Sequence, residues 1–350
     1  MGAPRSPSST TRTDTIGRVG VVLRDPFPWL DAVGIVSAAE ASGYEAVFVP
    51  EIDAREAFAT LTGFAAATSR VRLGTGVVTV QSRTPTVTAM AAATVHDVSG
   101  GRCVVGIGSG TGKGAAGLRR PPEAAPPGPV AVVEEYARVV RNALAGEPVE
   151  SALFGINGFR LGLSFGDRPS PEMWLAALGA RMVSLAGRLA DGVLLNWCVP
   201  ERVATARRTL AEAAERAGRD PAAVTVAVYA RGSLGGDEDA AMESLRAMTG
   251  LYASFPAYER QFAAMGFADE AAAAAAGHRS GRPADVPDAL VRALTVTGGR
   301  VEALARFDAF HQAGADLVLW YPVAAGADPL SSVRETVLTA APVPAATGTP

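Results

Sequence analysis

The chain has 350 residues, 48% of them apolar, and a formal net charge of −3. That length exceeds a typical single domain, yet α/β barrels with insertions reach it as one unit. The weak charge gives no pull toward nucleic acid or an anionic membrane, and no stretch is long and apolar enough to span a bilayer, so a small molecule is the expected partner.

Residues 1–15 are rich in Pro, Ser and Thr and lack the apolar core of a signal peptide, so they read as a disordered leader on a cytoplasmic protein. Residues 341–350 read as a flexible tail. Cys103 and Cys198 fall in or just after apolar strands, which suits buried thiols in a reducing compartment and not a disulfide.

From Ile16 onward, β-rich apolar runs alternate with Ala-rich helical segments, the pattern of parallel βα units. Strands are expected at Arg18 to Leu23, Glu45 to Val49, Val71 to Val80 and from Cys103 to Ile107. Helices are expected at about Leu30 to Ser42, capped by Gly43, then at Ala54 to Ser69, Pro85 to Val98 and Val130 to Leu144. Two glycines, Gly74 and Gly76, interrupt the third strand and mark a bulge or a close approach to the backbone. The fourth strand opens into Gly106-Ile107-Gly108-Ser109-Gly110-Thr111-Gly112-Lys113-Gly114, whose bare amides suit an anion, and Lys113 is the only lysine in the chain.

A proline-rich loop follows, within an insertion at about 113–129. A second insertion, about 149–166, carries Asn157-Gly158 and then period-two apolar residues, which predicts an antiparallel hairpin turning at that pair. Strands at Met173 to Leu178, Gly192 to Asn196, Val224 to Ala230 and Asp316 to Tyr321 complete a set of eight. A helical insertion over 237–299 precedes the last. The expected fold is a (β/α)8 TIM barrel, one domain over residues 16–340.

In such barrels chemistry sits at the C-terminal strand ends. That rule selects Arg24, Asp25, Glu51, Asp53, Gly76 to Val80, Ser109 to Lys113, Gly179 to Met182, Asn196, Trp197, Arg231, Trp320 and Tyr321. Gly112 to Gly117 matches G-x-G-x-x-G but opens no helix, and Gly114 stands where a Walker A motif needs Ser or Thr, so nucleotide chemistry is rejected. His96, His278 and His311 have no ligand spacing, hence no metal site. There is no G-x-S-x-G elbow. Carboxylates on one loop, Glu51 and Asp53, rarely straddle a glycosidic bond. A barrel with glycine loops and few strong acids or bases suits a bound cofactor.

The stretches GYEAVFVPE (Gly43 to Glu51), TSRVRLGTGVVTVQSRTP (Thr68 to Pro85), VSGGRCVVGIGSG (Val98 to Gly110) and WLAALGARMVSLAGRLADGVLLN (Trp174 to Asn196) are similar to the bacterial luciferase-like oxidoreductases. The chain resembles most closely the branch that uses the deazaflavin coenzyme F-420. The resemblance implies a cis peptide at Gly76 and Val77 after Gly74-Thr75, facing the cofactor ring. It also implies a cofactor phosphate on the backbone of Gly179, Ala180, Arg181 and Met182. Thr75, Ser109, Gly110, Lys113 and Asn196 complete the implied cofactor set, with Arg119 and Arg120 placed for a polyanionic tail.

Glu51 matches a family acid, but Ile52 and Thr111 stand where related reductases carry His and Glu. The proton donor is therefore sought among Glu51, Asp53, Thr111 and His278, and hydride transfer to an activated C=C or C=N bond is the expected reaction. One alternative is an FMN-dependent monooxygenase, which needs a separate flavin reductase. Another is a non-catalytic flavin-binding barrel. The resemblance also implies a homodimer.

Overall fold

The computed structural model describes residues 17–24, 26–110 and 127–342. The first half runs β1 Val19–Val22, α1 Trp29–Ala41, β2 Ala46–Val49, α2 Ala57–Ala67, β3 Arg72–Thr75, β4 Val78–Thr79, α3 Pro85–Val98, β5 Cys103–Gly108 and α4 Pro129–Leu144. Local chemistry sets several of these limits. The Glu56 side chain accepts from Ala59 N to start α2, and Thr84 caps α3 ahead of Pro85. Gly43, at φ +85°, turns the chain out of α1 as expected of a glycine just past a helix.

An excursion follows, β6 Val149–Ser151 paired antiparallel to β7 Ile156–Phe159. The hairpin exists, but it does not turn at Asn157-Gly158. Gly155, at φ +63°, donates to Ala152 O and closes the turn earlier, while Gly158, at φ +69°, lies within β7 beside a shift in register. The pairing of Val149 with Phe159 outranks the local turn signal.

The second half runs β8 Glu172–Ala177, α5 Ala180–Leu189, β9 Gly192–Leu195, α6 Pro200–Arg216 and β10 Thr225–Gly232. The helical insertion is α7 Glu238–Ala253, α8 Pro256–Ala264, α9 Ala268–Arg279, α10 Asp288–Leu294 and the short β11 Thr295–Val296, which pairs with the end of β10. α11 Arg300–Gln312, β12 Leu317–Pro322 and α12 Pro329–Thr339 finish the chain. Tyr44 ties α12 back to the start of the barrel by donating to Val337 O at 2.7 Å.

The parallel order is β1, β2, β3, β5, β8, β9, β10, β12 and back to β1, a closed eight-strand barrel. The third strand is not continuous: β3 ends at Thr75, and β4 pairs with β5 beyond the break. Alternation along each strand sends one set of side chains outward to the helices, such as Val47, Val105, Val228 and Trp320. The other set, including Phe48, Trp174, Leu194 and Leu319, fills the barrel and runs on into the helical insertion through Trp197 and Phe262. Gly74 faces the Phe48 ring, where a methyl group would collide. The insertion is thus built on the barrel mouth.

Candidate active site at the barrel mouth

Between the strand ends and helices α7 to α9 lies a cavity of about 1500 Å³. Its floor includes Gly76 and Val77, joined by a cis peptide bond at the position the sequence resemblance implies. Tyr229, on β10 across the barrel from the third strand, donates its hydroxyl to Gly76 O at 2.8 Å. A side chain at position 76 would run into that hydroxyl and into Phe48. The two glycines of the third strand therefore have different causes, ring packing at Gly74 and the cavity floor at Gly76.

The remaining cofactor residues divide into four groups. Gly179, Arg181, Met182, Ser109, Gly110 and Asn196 line the cavity. Ala180 opens α5 and faces a groove beside it, together with Arg181. Gly179 is the N-cap of α5 and supplies no side-chain cap, and no acid lies in the first turn, so the positive end of the helix dipole meets the cavity open. Arg202 holds the preceding carbonyl, Leu178 O, at 2.6 Å. Thr75 does not line the cavity. Its side chain points outward from β3 and is spent on β5, donating to Gly106 O and accepting from Gly106 N, both at 2.8 Å. Thr111 and Lys113, with Asp25, Arg119 and Arg120, lie outside the described residues.

The acids named from sequence are already engaged. Glu51 accepts from Arg83 at 3.1 Å, from Ser82 at 3.1 Å and from Ala57 N at 3.3 Å. Asp53 receives Arg24 on both carboxylate oxygens at 2.8 Å, and that contact raises the Arg24 guanidinium above its usual value. His278, near the end of α9, is brought into the cavity wall by the folded-over insertion. His96 is instead buried on α3 against Pro169 O, and its imidazole is pushed down by burial. His311 bonds Ala315 O on the far side of the barrel wall. Trp320 is also absent from the mouth: it faces α11, edge-on to Phe307. Among the described residues no group of His, Cys, Asp and Glu is arranged to hold a metal ion.

Strand-end position selected Asn196, Trp197, Arg231 and Tyr321, but not their union into the polar centre of the mouth. Arg231 is 2% exposed and lies among four rings, its guanidinium carbon 4.5 Å from the centre of Trp197, 4.6 Å from Tyr321, 5.3 Å from Tyr252 and 5.5 Å from Tyr229. Its Nη1 donates to Asn196 Oδ1 at 2.5 Å, while Asn196 Nδ2 donates to the Tyr258 hydroxyl at 2.8 Å. Gln261 on α8 fixes the same strand end by donating to the carbonyls of Asn196 at 2.6 Å and Trp197 at 2.7 Å. Trp197 takes φ +52°, which turns the chain back toward α6. Burial pushes the Tyr321 hydroxyl up to about 12 and also raises Tyr229 and Tyr258, so these phenols stay protonated at neutral pH.

The comparisons with known proteins agree with this layout. The model of the family described as luciferase-like monooxygenase matches residues 7–317. A 5,10-methylenetetrahydromethanopterin reductase of Methanolobus tindarius is 32% identical over 225 residues, 63% of this chain and 66% of that protein. A phthiodiolone/phenolphthiodiolone dimycocerosates ketoreductase of Mycobacterium tuberculosis is 35% identical over 228 residues, 60% of this chain and 57% of that protein. The chain thus spans less than two thirds of the length of these curated relatives.

Among solved structures, a coenzyme F420-dependent tetrahydromethanopterin reductase from Methanopyrus kandleri superimposes with a TM-score of 0.72 at 23% identity, covering 92% of this chain and 98% of that one. A monooxygenase, RslO1 from Streptomyces bottropensis, gives 0.64 at 22% identity, covering 93% and 97%. At those identities the likeness is one of fold. The family match runs through nearly the whole barrel, and the chain belongs to the luciferase-like monooxygenase family.

Proposed function

We propose that this protein is a coenzyme F420-dependent oxidoreductase that carries hydride to an activated C=C or C=N bond of a small organic substrate. The observation that carries the reading is the open N-terminus of α5, with Arg181, in the wall of a cavity large enough for a tricyclic cofactor and a substrate together. Relatives whose names carry F420 or a pterin reduction favour the deazaflavin over FMN.

On this reading the amides of Gly179 to Met182 and the Arg181 side chain bind the phosphate, and the floor at Gly76 and Val77 with Ser109 and Gly110 supports the ring. When bound, the deazaflavin supplies a two-electron hydride couple. The chain's own part is to orient and to manage a proton. Glu51, held by Arg83 and Ser82, serves as a fixed anion that positions the loops after β2 and β4, and does not act as an acid. His278 has no ion pair among the described residues and faces the cavity, so it is assigned the proton for the substrate.

The test is a fluorescence titration of the purified protein with coenzyme F420 and, separately, with FMN at low and moderate salt. Micromolar deazaflavin binding that weakens with salt supports the reading. Preference for FMN replaces it with a flavin monooxygenase, and binding of neither with a non-catalytic barrel.

A further inference from the structure

Among the described residues Arg231 is the only buried arginine. Arg102, for comparison, spends its guanidinium on Ser99 O, Val71 O, Ala65 O, Thr68 O and Thr68 Oγ1. A guanidinium has five N–H donors. That of Arg231 has one partner in the described structure, the neutral Asn196 oxygen, and its Nε is buried with none. No described carboxylate pairs with it.

A buried, uncompensated charge is costly unless something neutralises it. The four rings around Arg231 offset part of that cost by cation–π contact, but none of the three tyrosine hydroxyls among them accepts a hydrogen bond from it in the described structure. Arg231 lines the cavity, and of its guanidinium only Nη1 is engaged, by Asn196. The arrangement is a preorganised fork without its anion.

We propose that Arg231 is the docking group for an anionic oxygen of the substrate, so that the substrate is an organic carboxylate. Its flat apolar body lies against Tyr252, Phe255 and Tyr258 on the α7–α8 side of the cavity, where Tyr252 meets the other two rings edge to face with centres 4.9 and 5.9 Å away. Asn196 holds Nη1 and thereby sets which edge of the fork faces the ligand. The inference rests on the proposed function only for the statement that the anion belongs to the reacting substrate. The other source of an anionic oxygen at this site is the cofactor ring.

The experiment uses the full chain and two probes with the same body, trans-cinnamate and its neutral amide, cinnamamide. Binding is followed by calorimetry and by tryptophan fluorescence, since Trp197 stacks on the guanidinium. The wild-type protein is expected to bind the carboxylate about tenfold more tightly than the amide. In R231Q that ratio falls to about one, in R231K it is intermediate because the charge stays and the fork is lost, and deazaflavin affinity in R231Q changes by less than about threefold.

A wild-type ratio near one overturns the proposal without recourse to any variant. So does a ratio that survives R231Q, or an R231Q protein that loses deazaflavin affinity while the ratio stands, which assigns the anion to the cofactor. If wild-type protein binds no deazaflavin, the proposed function fails on its own, and the carboxylate-to-amide ratio still reports on Arg231.

Discussion

The two ends of the barrel each hold an arginine stacked on a tryptophan, and the pair is instructive. At the N-terminal end, Arg72 of β3 lies 5.1 Å from the centre of the Trp174 ring and forms an ion pair with Glu172 of β8 at 2.6 Å, while Trp174 donates its indole N–H to the same carboxylate at 2.9 Å. At the C-terminal end, Arg231 lies 4.5 Å from the Trp197 ring, with an amide oxygen where the carboxylate would be. The lower end is closed chemically: Arg72 meets its opposite charge in Glu172, and a large ring fills the barrel over Gly192. The upper end keeps its cation, its uncapped helix and its cavity open. One sheet thus uses the same stacking motif as a plug at one end and as a receptor at the other.

Changes at the lower end should act on stability and leave ligand binding alone. The largest effect is expected from Trp174→Ala, which removes a fully buried ring and leaves a cavity against Phe48, at a cost of about 3–5 kcal/mol in chemical denaturation. Preserved stability would mean that the plug is not what closes the barrel. Tyr229→Phe, at the upper end, removes the hydrogen bond to Gly76 O and should cost about 1 kcal/mol in the same assay.

Glu40 gives the comparison a pH dependence. Although burial alone would raise this carboxyl, the N–H groups of Ser69 and Arg70, at 2.8 to 2.9 Å, outweigh it and hold the group below its ordinary value. A carboxylate depressed in the folded state contributes stability that is present above its unfolded pKa, roughly 4.3, and is lost as pH falls through the folded value. Glu40→Gln should therefore cost about 1 kcal/mol at pH 7 and make the denaturation midpoint less sensitive to acid below about pH 4.5. An unchanged acid response would remove Glu40 from the account. The smallest effect is expected for Glu172→Gln, about 0.5 kcal/mol, because its side chain is 45% exposed and solvent screens the pair with Arg72.

How much of this was legible in the sequence follows the range of the interactions. Strand and helix alternation, the glycine after α1 and the insertion before the last strand are local signals, and each stands at its expected place within a few residues. Asn157-Gly158 is local too, yet the pairing of Val149 with Phe159 moved the turn to Gly155. The third strand was expected to run from Val71 to Val80 with a bulge or close approach at its glycines; it instead ends at Thr75, and β4 pairs with β5 alone, which strand pattern does not encode.

Thr75 shows the opposite error. A motif match placed it with the cofactor, although period-two alternation from Gly74 already sends its side chain outward. Arg231 appeared among the strand-end residues, but its isolation from acids depends on neighbours from β9, α7 and β12, which no spacing reveals. Tyr229, Tyr258 and Gln261 had no signal at all, because each acts through a partner more than 60 residues away.

The central claim is that the open end of the barrel is a receptor with an anion site at the start of α5, and Gly179→Asp tests it most directly. The space around Gly179 is open to a side chain, so the fold should be undisturbed, with a denaturation midpoint at or above that of the unaltered protein. A carboxylate there would cap the helix and repel a phosphate, and deazaflavin affinity should fall by more than tenfold, about 1.4 kcal/mol or more. Equal affinity in the folded variant would contradict the account and move the phosphate elsewhere in the cavity.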